Sequence, residues 1–130
     1  MTVVSFFRTL AALVALVTGG GVTYFALVFT GPFPDHPLIY GYNDLVLHVI
    51  AFAGLSTIVL LLGYAWWRSI AGLILFAGLI EIVQIFLPAR TADWLDFAGS
   101  LTGITLAAVP FGGLRLFWAQ WDARETDSDE

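Results

Sequence analysis

The run Ser69-Ile-Ala-Gly-Leu-Ile-Leu-Phe-Ala-Gly-Leu-Ile-Glu81-Ile-Val-Gln84-Ile-Phe-Leu87 decides the architecture. Apart from Glu81 it carries no charge. At about 1.5 Å of rise per residue, a helix over it crosses a hydrocarbon layer about 30 Å thick. Working outward, residues 46–64 and 97–117 repeat the pattern on either side, and residues 9–30 add a further uncharged stretch at the start. In the last of these spans Pro110 is expected to introduce a kink, and Gly112-Gly113 loosen the backbone. Arg8 ahead of an apolar run also fits a secretory signal. However, Gly19-Gly20-Gly21 leads into more apolar residues rather than a polar mature start, which favours an uncleaved first span. The expected fold class is therefore all-α, an integral membrane bundle of four transmembrane helices filling residues 1–121, with an acidic cytoplasmic tail at 122–130 that is expected to be disordered.

Composition agrees. Of 130 residues, 59% are hydrophobic and 12% charged, about half the charged fraction of a soluble domain. With no cysteine, disulfides, thiolate nucleophiles and cysteine-based zinc sites are excluded. A net charge of -5 argues against a nucleic-acid partner. All five basic residues are arginines. Arg8, Arg68, Arg115 and Arg124 fall on one side of the expected topology and Arg90 on the other, so both termini are expected in the cytoplasm of a multi-pass cell-membrane protein. Trp66, Trp67, Trp118 and Trp121 then mark the inner interface, and Tyr40, Tyr42 and Trp94 the outer one.

This topology gathers the polar residues. The second span begins outside, the third ends outside and the fourth begins outside. Asp44 and His48 stand at i and i+4 on one helix face, His48 about 6 Å deeper. Glu81 and Gln84 share a face near the end of the third span, and Asp93, Asp96, Ser100 and Gly103 form a stripe down the fourth. Asp44, His48, Glu81, Gln84, Arg90, Asp93, Asp96 and Ser100 are thus the candidate binding residues, all in the outer third of the membrane. Other roles compete. Asp44 and Asp93 suit helix starts, His48 suits a satisfied buried imidazole, Arg90 suits a structural ion pair with Asp93 or Asp96, and Gly99 with Gly103 suits close helix packing. Glu81 is the hardest to explain structurally, because Leu79, Ile80, Ile82 and Val83 surround it.

The order of these residues resembles the VanZ-like family of small membrane proteins. Its pattern is Asp-Lys-x-x-His, then Glu-x-x-Gln, a Pro-x-Arg loop, and Asp-x-x-x-Asn-x-x-Gly. The matches here are Asp44 and His48 with Phe52 and Leu55, then Glu81 and Gln84, Pro88 and Arg90, and Asp96 and Gly103, covering about half the chain. Leu45 stands where the family has Lys, and Ser100 where it has Asn. The resemblance implies an association with resistance to glycopeptide antibiotics such as teicoplanin. It implies no defined reaction.

The leading expectation is an outward-facing site that binds or acts on a membrane lipid or lipid-linked cell-envelope precursor. Arg90 would pair with a phosphate or carboxylate, and Glu81 and His48 are the candidates for proton exchange. Asp93 and Asp96 would orient Arg90 or hold a divalent cation, although the spacing matches no standard metal motif and no metal ligands are assigned. No nucleophile motif, HExxH or phosphate-binding glycine loop occurs, so no enzyme is claimed. The alternatives are a non-catalytic scaffold or accessory subunit, acting with a membrane partner or as a homo-oligomer, and behind it a proton-linked transporter.

Overall fold

The computed structural model describes residues 3–28, 43–88 and 93–128, with the side chains of all but 4, 43 and 122–128. Four helices account for them: α1 (Val3–Leu27), α2 (Asn43–Leu61), α3 (Trp66–Ile85) and α4 (Trp94–Ser128). Among the described residues there is no strand. Each helix is long and apolar enough to cross a membrane, over Ser5–Leu27, Asp44–Leu61, Trp66–Ile85 and Trp94–Trp121. The expected four-span, all-α fold is present. α4 continues through Pro110 and carries its helical backbone as far as Ser128, into the segment whose composition suggests an acidic tail.

Local chemistry sets the boundaries. Between α2 and α3 the chain reverses in a few residues because Gly63 adopts φ +73°, a left-handed conformation open to glycine at no steric cost. The amides of Leu62 and Gly63 reach back to the carbonyls of Val59 and Leu60, 3.2 Å in each case. α4 starts at Trp94, ahead of the apolar run, because Asp93 caps it. One Asp93 carboxylate oxygen accepts from the Leu95 amide at 2.9 Å, and its carbonyl accepts from Asp96 and Phe97 at 3.0 and 3.3 Å.

The closest helix pair is α2 with α4, and two glycines explain it. A Cβ on Gly103 would collide with the backbone of Val49 and Ala53. One on Gly99 would come within 2.8 Å of the Leu45 side chain and 3.0 Å of its carbonyl. The two helices therefore meet backbone to backbone, as small residues four apart allow. Below this contact lies the apolar core. Phe52 is fully enclosed and is joined by Leu55, Leu73, Ala77, Ile80, Ile104 and Ala26, with the Phe52 and Phe76 rings 5.9 Å apart. α1 is the loosest member, with Ala26 its one buried residue among those described.

The outer surface is apolar as well. Leu16, Val17, Leu75, Leu79, Leu106 and Val109 are exposed. In water such a surface drives association, whereas against lipid tails it is matched. Thr9, Thr23, Thr57, Thr102 and Thr105 turn their hydroxyls onto carbonyls four residues earlier at 2.8–2.9 Å. They need no water, as a hydrocarbon setting requires. These features are those of a multi-pass membrane protein.

Candidate functional site

One end of the bundle collects α1's last turn, α2's first, α3's last and α4's first. Two i, i+4 pairs meet there. Asp44 stands exposed on the first turn of α2 with His48 buried one turn deeper, and Asp96 stands buried on the first turn of α4 with Ser100 one turn deeper. Gly99 lets them touch, because the Cβ it lacks would crowd Leu45 and His48. His48 Nδ1 lies 3.1 Å from Ser100 Oγ, and Ser100 Oγ donates to the Asp96 carbonyl at 3.0 Å. A hydroxyl has one hydrogen, so the imidazole must supply the other: Nδ1–H donates to Ser100. In the neutral ring Nε2 then carries the lone pair. It faces Asp96 Oδ2 at 4.0 Å, too far for a hydrogen bond. The ring stacks on Phe52 at 6.5 Å with an 11° interplanar angle, which holds its plane. One ligand-type atom from each of Asp44, His48 and Asp96 lies within 4.8 Å of the other two.

Glu81 sits one turn before the end of α3. Both carboxyl oxygens are shielded from solvent without a hydrogen-bond partner among the described residues. Asp96, Asp93 and Asp44 act on them through space. Glu81 and Asp93 line a groove of about 370 Å³ between α3 and α4, bounded by Gly78, Trp94 and Phe97. Gln84, 2% exposed, serves a different helix: its Nε2 donates to the Ala26 carbonyl of α1 at 2.9 Å. Its Oε1 has no partner among the described residues. Arg90 lies outside the described residues.

The described residues among those expected from the sequence therefore take four roles. Asp44, His48, Asp96 and Ser100 form one connected group. Glu81 borders it from the side of α3, and Asp93 is tied up in capping α4. Gln84 fastens α3 to α1. The pairing of His48 with Ser100 and Asp96 was not among the expected relations, which set the imidazole beside Glu81. Gly99 and Gly103 carried the signal for it, because a close α2–α4 crossing aligns the two i, i+4 pairs. The Ala26 carbonyl has no sequence signal at all, being backbone.

Fold and site together define a class: a small apolar four-helix bundle with an imidazole, a hydroxyl and carboxylates converging one turn inside one end. No protein-family model, curated protein or solved structure matches the chain.

Proposed function

We propose that the chain is a VanZ-like cell-membrane protein whose polar end faces away from the cytoplasm and binds the anionic head group of a lipid or lipid-linked envelope precursor. The observation that carries this reading is the convergence of His48, Ser100, Asp96 and Glu81 at one end of the apolar bundle. Polar groups in such a setting are costly and are retained for use. The opposite end supports this orientation. Arg8 lies over the Tyr64 ring at 5.9 Å, Arg68 over Trp67 at 5.1 Å, and Arg115 shares a cavity with Trp66 and Trp67. Arginines with interfacial aromatics suit the cytoplasmic face. Both termini are then cytoplasmic and Asp44 is outside. A role in glycopeptide resistance would follow from holding an envelope precursor.

The chain has no cysteine of its own, which makes orientation simple to test. Asp44→Cys should react with a membrane-impermeant maleimide on intact cells, and Trp67→Cys only after permeabilisation; the reverse pattern overturns the orientation. Function is tested in a host that the wild type protects against teicoplanin. His48→Ala and Glu81→Gln, at wild-type membrane abundance, should lose protection. In parallel, mass spectrometry of protein extracted in native lipid discs should show a phosphate-bearing lipid with the wild type and not with His48→Ala. Full protection and an unchanged lipid profile in both variants sink the proposal.

A second reading is a non-catalytic scaffold, and the Gln84 bond to the Ala26 carbonyl favours it, since such bonds fix helix arrangement. Under that reading Gln84→Leu would impair function as much as His48→Ala does.

A further inference from the structure

We infer that Asp44, His48 and Asp96 form a site for one divalent transition-metal ion of the zinc class, with a coordination position left open for an anionic oxygen. The inference rests on the reading of this end as the functional site and adds what recognises the head group there.

Geometry comes first. The three ligand atoms, one per residue, lie within 4.8 Å of one another. Tetrahedral zinc with bonds of about 2.1 Å holds its ligands about 3.4 Å apart, so closure needs a shift of little more than an ångström. Asp44, exposed on the first turn of α2, has the rotamer freedom to supply it. Orientation of the imidazole is an independent observation. Ser100 takes the Nδ1 hydrogen, so Nε2 is the ring nitrogen turned toward the Asp96 carboxylate, 4.0 Å away, and in the neutral ring it is the one that can ligate. A cation held by this group would take Nε2 as its imidazole ligand and Asp96 as one of its carboxylate ligands. A second nitrogen donating to a fixed acceptor is the usual outer-shell support of a metal-bound histidine.

Ligand chemistry narrows the ion. Calcium takes six to eight oxygens, and magnesium keeps most of its waters. One imidazole with two carboxylates matches zinc-class ions better, and their two negative charges balance the ion's two positive ones. Three protein ligands leave the fourth tetrahedral position open, as in zinc sites that act on substrates. Asp44 and His48 also line a cavity of about 240 Å³ between α1 and α2, walled by Val22, Phe25, Ala26 and Leu47. A phosphate oxygen entering there would reach the ion while its hydrocarbon stays on apolar walls.

The test uses the full chain in lipid nanodiscs, stripped with chelator and titrated with Zn²⁺, with Co²⁺ as a spectroscopic stand-in. One equivalent should bind, and Co²⁺ should give visible bands typical of mixed nitrogen and oxygen ligation. Asp44→Asn, whose side chain is exposed and so does not disturb folding, should weaken binding at least tenfold. His48→Gln should remove the nitrogen signature, and Ser100→Ala should weaken binding by about 10- to 100-fold. Wild-type binding no stronger than that of the Asp44→Asn/His48→Gln double variant overturns the inference, as does a Co²⁺ spectrum indifferent to His48→Gln. The two proposals fail separately. A phosphate-bearing lipid that stays bound after chelation overturns the metal and leaves the head-group reading intact. One bound Zn²⁺ without any such lipid supports the metal and overturns the head-group reading.

Discussion

The two ends of this bundle solve different problems with different residues. At one, polar groups lie inside, between helices: His48, Asp96 and Ser100 are 7%, 7% and 1% exposed. At the other, Arg8 and Arg68 lie over the rings of Tyr64 and Trp67, and Arg115 lines a cavity with Trp66 and Trp67. The first arrangement demands shape. Backbones must approach closely, and glycine provides the room. The second demands only position along the membrane normal. Substitutions should therefore act sharply at the polar end and softly at the arginine end.

Gly103→Ala should have the largest effect. The added methyl meets the backbone of Val49 and Ala53, which cannot swing aside as a side chain would. Overpacking of this kind costs about 1–3 kcal/mol, and because the whole α2–α4 contact opens, the His48 to Ser100 bond should be lost with it. Gly113→Ala is the matched control on the same helix. Nothing lies within 4 Å of its Cβ position, so it should be neutral or stabilise by up to about 1 kcal/mol through helix propensity. Reversible unfolding in micelles measures both. Equal losses in the two variants would mean that the glycine contact does not hold the polar end together.

Much of this contrast is legible in the chain and some is not. Four spans follow from apolar runs alone, because a membrane-spanning length is a one-dimensional property. Asp44 with His48, and Asp96 with Ser100, can be paired on paper because i and i+4 share a helix face. Which face meets which cannot, since that depends on rotation of each helix about its axis. Glu81 and Gln84 show the difficulty: three residues apart, they serve different neighbours, Gln84 bonding to α1 and Glu81 lining the α3–α4 groove. The start of α4 at Trp94 was legible in Asp93 as a helix-start residue but not in the apolar run, which begins later, since capping by Asp93 extends the helix beyond that run.

Gln84 should show an intermediate effect. Gln84→Ala removes the bond to the Ala26 carbonyl and leaves a hole, and interhelical hydrogen bonds within membranes are worth about 0.6–2 kcal/mol. Gln84→Leu should cost less, because it fills the space and also removes the buried Oε1 that has no partner among the described residues. The same unfolding measurement orders the pair. Its comparison with His48→Ala in the teicoplanin assay separates fastening from binding: if Gln84→Leu keeps protection while His48→Ala loses it, the polar end does more than hold helices.

The smallest effect should come from Arg68→Gln. Its guanidinium lies over Trp67 on an exposed surface, where such a contact is worth about 0.5–1 kcal/mol, and the uncharged stem can still cover the apolar surface beneath it. Orientation should survive as well, because Arg8, Arg115 and Arg124 keep the positive bias on that side. Maleimide labelling of Asp44→Cys, unchanged by Arg68→Gln, checks the second point, and a loss of stability under about 1 kcal/mol checks the first. A loss matching that of Gly103→Ala would mean that the arginine end is as closely fitted as the polar end, and the contrast between them would not hold.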